Sequence, residues 1–180
     1  MKIHTAKTKQ MVLAALFLAL GMVLPFLTMQ VKEIGDTLLP MHLPVMLCGY
    51  LCGGWYGLAV GLVLPLLRSL CFGMPNPLFP RAVWMAAELA TYGAVTGFLY
   101  KGLFKRKLWW LYGSLISAMV AGRIVYGIVK WVLQVASGNA FALKMFITGA
   151  VVDALPGIAL QLVLVPAIVR LLEKREEHSL

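Results

Sequence analysis

Residues 40–57 read PMHLPVMLCGYLCGGWYG. The stretch is apolar. It opens on Pro40, His42 and Pro44, then sets Gly49, Gly53, Gly54 and Gly57 close together. Glycine weakens a helix interior by about 1 kcal/mol relative to alanine and leaves the backbone bare. That cost is tolerated where two helices must come close, and in a bilayer such close packing itself drives helix association. The apolar run continues to Phe72. From Leu43 to Phe72 it is too long for one upright helix, because a hydrocarbon core about 30 Å thick takes about 20 residues. Cys52-Gly53-Gly54-Trp55 supplies the break. The expectation is a short second span, a tight turn and a third span.

Outward from this hairpin the same pattern repeats. A first span is expected over Gln10–Val31, followed by a polar loop, Lys32–Met41, with Glu33, Gly35 and Asp36. Met74-Pro75-Asn76-Pro77-Leu78-Phe79-Pro80 cannot be helical throughout. The fourth span is expected over Arg81–Tyr100, the fifth over Leu108–Ala136 and the sixth over Phe141–Leu172, kinked at Pro156-Gly157. Of the 180 residues 61% are hydrophobic and only 13% charged, against roughly 25% charged in a soluble domain. The fold class expected is an all-α membrane protein, a bundle of six transmembrane helices forming one integral membrane domain over residues 1–180. No small-residue cleavage site follows the first run, so it is expected to remain a span.

The net charge of +9 does not suggest nucleic acid, because of where the charge sits. Lys2, Lys7 and Lys9 precede the first span. Lys101, Lys105, Arg106 and Lys107 cluster in the middle. Arg170, Lys174 and Arg175 close the last span. Short basic flanks mark the cytoplasmic side. Six spans place all three groups there, with both termini cytoplasmic. The opposite loops carry only Lys32, Glu33 and Asp36. Five spans would put the central cluster and the C-terminal tail on opposite sides.

Charges inside spans are costly and face a cavity or a partner. The candidates are Arg68, Arg81, Glu88, Arg123, Lys130, Lys144 and Asp153. Arg81 and Lys144 lie near span ends, where they can snorkel. Trp84, Glu88 and Tyr92 follow at four-residue steps on one helix face. Arg123, Tyr126, Lys130 and Gln134 form a second stripe, and Asp153 sits beside the expected kink. Glu88 and Asp153 could pair with Arg123 and Arg68 to lock the bundle. Five cations nevertheless face two anions in this set. Buried charge needs a partner, and a small anionic ligand supplies one. Trp84, Tyr92, Tyr126 and Trp131 could equally stack on a neutral heterocycle.

No Gly-x-x-x-x-Gly-Lys-Ser/Thr, His-Glu-x-x-His or Gly-x-Ser-x-Gly occurs, so ATP hydrolysis is not expected from this chain. No internal repeat is evident between the halves. Cys48, Cys52 and Cys71 make no disulfide framework, and Cys48 and Cys52 read as small packing residues rather than metal ligands.

The first-span sequence Leu13-Ala14-Ala15-Leu16-Phe17-Leu18-Ala19-Leu20, the Met41-His42-Leu43-Pro44-Val45 opening and the glycine-rich hairpin together resemble a substrate-binding S component of an energy-coupling factor (ECF) transporter, a class of vitamin importer. Ala15 and Ala19 resemble the Ala-x-x-x-Ala surface on which that family docks its transmembrane coupling subunit, which two ATPases drive. The resemblance implies a multi-pass protein of the bacterial plasma membrane with no cofactor of its own. It captures a vitamin or precursor near the outer face, beneath Lys32–Met41 and beside His42. Combined with the charge stripe, the expected binding set is His42, Arg68, Trp84, Glu88, Tyr92, Arg123, Tyr126, Lys130 and Asp153, and the favoured ligand is pantothenate or another small carboxylate. Two other classes fit less of the pattern. One is a membrane enzyme using Glu88, Asp153 and His42 as acid–base groups; the other is a structural or channel protein whose charges serve packing.

Overall fold

The computed structural model describes residues 2–27, 40–75, 78–103, 108–138 and 155–178. They form six helices: α1 (Lys2–Leu27), α2 (His42–Cys52), α3 (Gly54–Phe72), α4 (Val83–Leu103), α5 (Leu108–Ala136) and α6 (Leu155–His178). A short helical turn, Leu78–Ala82, leads into α4, with Phe79 extended at φ −111° and ψ 132°. No strand occurs among the described residues, in keeping with the all-α class. α5 has the bounds the sequence suggested. The end of the expected first span, nearly all of the Lys32–Met41 loop and residues 141–154 of the expected sixth lie outside the described residues. Pro156 is the second residue of α6, a first-turn position that needs no lost hydrogen bond.

Among the described residues, five segments are long and apolar enough to cross a membrane: Lys7–Phe26, Gly54–Phe72, Leu78–Tyr100, Leu108–Ala136 and Leu155–Leu172. α2 is not one of them. Its 11 residues reach about 16 Å, roughly half a hydrocarbon core. The expected second span is therefore a half-length helix within the described residues.

The expected break falls at Gly53, whose φ of 110° only glycine adopts without strain. Its N–H bonds to the carbonyls of Cys48 and Gly49 and closes α2, while Gly57 N–H bonds to Gly53 O at 3.0 Å and opens α3. One residue thus reverses the chain.

Paired contacts fix how the helices run. Gly21 lies against Leu64, Arg68 bonds to Met22 O and Phe26 meets Phe72, so α1 and α3 are parallel. Gly57 faces Gly93 and Gly61 faces Leu89, so α3 and α4 are antiparallel. His42 meets Tyr92 and Tyr50 meets Tyr100, so α2 and α4 are parallel. Trp84 meets Tyr126 and Tyr92 lies against Gly122, so α4 and α5 are antiparallel. The start of α2, the end of α1 and the end of α3 share one end of the bundle. The α2–α3 turn, the end of α4 and the start of α5 share the other.

α4 is the central helix, packed on α2, α3 and α5. Glycine makes that possible. A Cβ at Gly57 or Gly93 would overlap the facing backbone, and Gly49 and Gly97 meet their neighbours as closely. These contacts answer what the clustered glycines are for: they let α2, α3 and α4 touch backbone to backbone. α1 buries Ala14, Phe17, Gly21 and Pro25 and turns Val12, Ala15, Leu16, Ala19, Leu20 and Val23 outward. α5 buries Leu111, Leu115, Ala118 and Gly122 and exposes Ile116, Val120, Ile124 and Ile128 at four-residue steps. An apolar stripe of that kind suits lipid rather than water.

Candidate functional site

At the end of the bundle where α2 begins, four polar side chains converge. Glu88 Oε1 accepts the Tyr92 hydroxyl at 3.0 Å and lies 3.0 Å from Arg123 Nη1. The same oxygen is 3.7 Å from His42 Nε2, beyond hydrogen-bond reach. Glu88 and Tyr92 stand one turn apart on α4. His42 opens α2, which runs parallel to α4, and its ring packs on Tyr92 at 5.1 Å between centroids. Gly122 on α5 leaves room for the Tyr92 ring, and the next residue, Arg123, reaches Glu88. Local sequence thus builds the cluster from three helices.

Burial gives the cluster its force. His42 is 1% exposed, and Glu88 and Tyr92 are 2% exposed each. A carboxylate buried alone is very costly; the Arg123 pair and the Tyr92 hydrogen bond offset that cost. The offset leaves polar atoms over. Nε and Nη2 of Arg123 and both ring nitrogens of His42 are buried without a hydrogen-bond partner. Buried donors and acceptors are normally satisfied, and these atoms are not.

Beside this cluster lies an aromatic set. Trp84, one turn before Glu88, meets Tyr126 edge to face at 6.4 Å. Lys130 Nζ lies 5.5 Å from the Trp84 ring centroid and 5.4 Å from that of Tyr126. It also donates to Tyr126 Oη at 3.4 Å. Cation–π contacts of this geometry hold a charge against apolar surface. Arg81 lies just before α4. The two stripes read from the sequence, Trp84–Glu88–Tyr92 and Arg123–Tyr126–Lys130, therefore face each other across α4 and α5.

Other expected site residues go elsewhere. Arg68 is buried between α1 and α3. Its Nη1 donates to Met22 O in the last turns of α1, and its guanidinium sits 5.1 and 5.6 Å from the Phe26 and Phe72 rings. It ties α1 to α3 rather than joining Glu88. Asp153 and Lys144 lie outside the described residues. Trp131 is 52% exposed, facing away from the bundle. Cys48 and Cys52 are buried among apolar neighbours. Ala15 and Ala19 are exposed on the outward face of α1. Among the described residues no group of three His, Cys, Asp or Glu side chains is placed to hold a metal.

Attention to ionisable residues alone overlooked Gln161 on α6. It is 1% exposed, and its Nε2 has no partner; the signal was a lone amide between Leu160 and Leu162. Tyr50 was overlooked too. It meets Ser114 Oγ at 3.0 Å and donates to Leu111 O at 3.3 Å, joining α2 to α5 at the opposite end.

No curated protein and no solved structure matches the chain. A protein-family model described as "ECF transporter, substrate-specific component" matches residues 9–169. Proteins of this family are substrate-binding subunits of multi-pass membrane transporters. They associate with the ECF module, a transmembrane component with ATPases, and are not enzymes. The acid–base use of Glu88, Asp153 and His42 is thereby set aside, and so is the purely structural class. The chain belongs to the substrate-specific components of ECF transporters.

Proposed function

We propose that this S component captures a vitamin or vitamin precursor bearing a small carboxylate, with pantothenate the first candidate, for ATP-driven import. The observation that carries this is the set of unpartnered buried atoms around Glu88: Nε and Nη2 of Arg123 and both nitrogens of His42. Trp84, Tyr126 and Lys130 extend the site with an apolar wall and a second cation. Tyr92 and Glu88 hold the polar floor. Asp153 remains a candidate on its sequence alone.

The proposed topology has six crossings and cytoplasmic termini in the bacterial plasma membrane, with α2 in the second passage. The alternating directions of α1 to α5 support it. They bring the start of α1, the α2–α3 turn, the end of α4 and the start of α5 to one end, and the basic residues that flank those helix ends in the sequence belong on the cytoplasmic side. The Glu88 cluster is then at the outer end. Ala15 and Ala19, exposed on α1, form the proposed docking stripe for the coupling subunit and, through it, two ATPases. Small residues let a partner helix come close.

A thermal-shift screen of the purified chain in detergent against vitamins and precursors tests the capture. A ligand at a hundredfold excess over its dissociation constant stabilises the folded state by about 2.7 kcal/mol. A clear shift with an acidic vitamin is expected; a folded protein that no compound stabilises would overturn the reading.

A further inference from the structure

Arginine has two hydrogen-bonding faces. Nη1 points to one side of the guanidinium, whereas Nε–H and one Nη2–H point the same way along the other edge. That edge matches the two oxygens of a carboxylate. Arg123 spends Nη1 on Glu88 Oε1 at 3.0 Å. The two nitrogens it leaves buried and unpartnered are Nε and Nη2, which are the members of the matching edge. Glu88 Oε1, for its part, already takes the Tyr92 hydroxyl and Arg123 Nη1, and Glu88 is 2% exposed.

We propose that the Nε–Nη2 edge of Arg123 receives the ligand's carboxylate in a two-pronged hydrogen bond, and that Glu88 is a positioning residue which holds that edge without touching the ligand. This rests on the capture reading above and assigns its site a ligand chemistry. Glu88 already neutralises Arg123, so what the edge lacks is hydrogen-bond acceptors rather than bulk negative charge. A monoanionic carboxylate supplies two. His42 adds the second point of recognition. Its Nε2 and Arg123 Nη1 both lie within 4 Å of the same Glu88 oxygen, and a neutral imidazole offers one donor and one acceptor. A hydroxyl or amide near the ligand's carboxylate satisfies it.

The test uses matched acid and neutral probes: pantothenate with pantothenol, and nicotinate with nicotinamide. Thermal unfolding of the purified full chain is titrated with each. The chains compared are wild type, R123K, E88Q and the charge-neutral pair E88Q/R123Q, which leaves no lone buried ion. One acid is expected to stabilise wild type while its neutral counterpart does not. R123K keeps the charge but loses the edge, so the acid's apparent Kd should rise about tenfold or more. E88Q should weaken the acid yet keep its advantage over the neutral probe, as a positioning role requires. E88Q/R123Q should abolish that advantage. If acid and neutral probes bind alike, or acid binding survives R123K unchanged, capture stands and the carboxylate edge falls. If neither acid stabilises folded wild type while a neutral compound of the wider screen does, the carboxylate edge falls and capture stands; if no compound of that screen does, both fall.

Discussion

Tyr92 donates its hydroxyl to Glu88 one helical turn away, across 3.0 Å, and the same carboxylate oxygen meets Arg123 from α5. One acceptor thus fixes an aromatic ring, a guanidinium and the spacing of two helices. Tyr92→Phe deletes only the donor and leaves the ring against His42 and Gly122. A hydrogen bond to a charged group is worth about 1.5–3 kcal/mol. Thermal or denaturant unfolding in detergent should show a loss of that size, together with weaker ligand binding.

Removing one partner of a buried ion pair strands the other, at about 3–5 kcal/mol. Arg123→Met alone should therefore destabilise strongly. Glu88→Gln/Arg123→Met should cost less than the sum of the single changes, because no charge is left stranded. A double-mutant cycle read by unfolding free energies checks this; strict additivity would mean that the 3.0 Å pair carries no coupling.

Gly57 and Gly93 meet across α3 and α4, whereas Gly113 on α5 has open space beside it. Gly57→Ala or Gly93→Ala should force the helices apart at about 1–3 kcal/mol. Gly113→Ala should be neutral or stabilise by up to about 1 kcal/mol through helix propensity. Melting temperatures of the three variants, measured together, separate steric contact from a general dislike of substitution.

Arg68 holds α1 to α3 through Met22 O and two phenylalanine rings. Arg68→Met should lower the melting temperature while leaving ligand affinity within about threefold, since the side chain it replaces has its contacts away from Glu88. An affinity loss matching that of Arg123 variants would bring Arg68 into the binding site.

Ala15 and Ala19 are exposed on α1. Ala15→Trp or Ala19→Trp should abolish cellular uptake and leave binding by the isolated chain intact. Uptake at wild-type rate in both variants would move the docking face elsewhere.

The sequence was most legible where a pattern repeats. The extent of α5, the break at Gly53 and the facing stripes of α4 and α5 all follow from spacing and from the cost of glycine or charge in an apolar run. Less legible was anything that depends on which cation meets which partner. Arg68 and Arg123 look alike in the sequence, but a backbone carbonyl at the end of α1 claims one and Glu88 claims the other. The shortness of α2 was legible too, because the apolar run from Leu43 to the break at Gly53 leaves no room for a full span. Gln161 escaped because a neutral amide carries no charge to count.

The most direct measurement is equilibrium binding of the best-stabilising radiolabelled acid to the purified chain in lipid nanodiscs, without any coupling subunit or ATPase. Saturable one-to-one binding by wild type that is lost in E88Q/R123Q is the predicted result. Binding of equal strength in that variant, with the protein folded, would contradict the assignment of capture to the Glu88–Arg123 site.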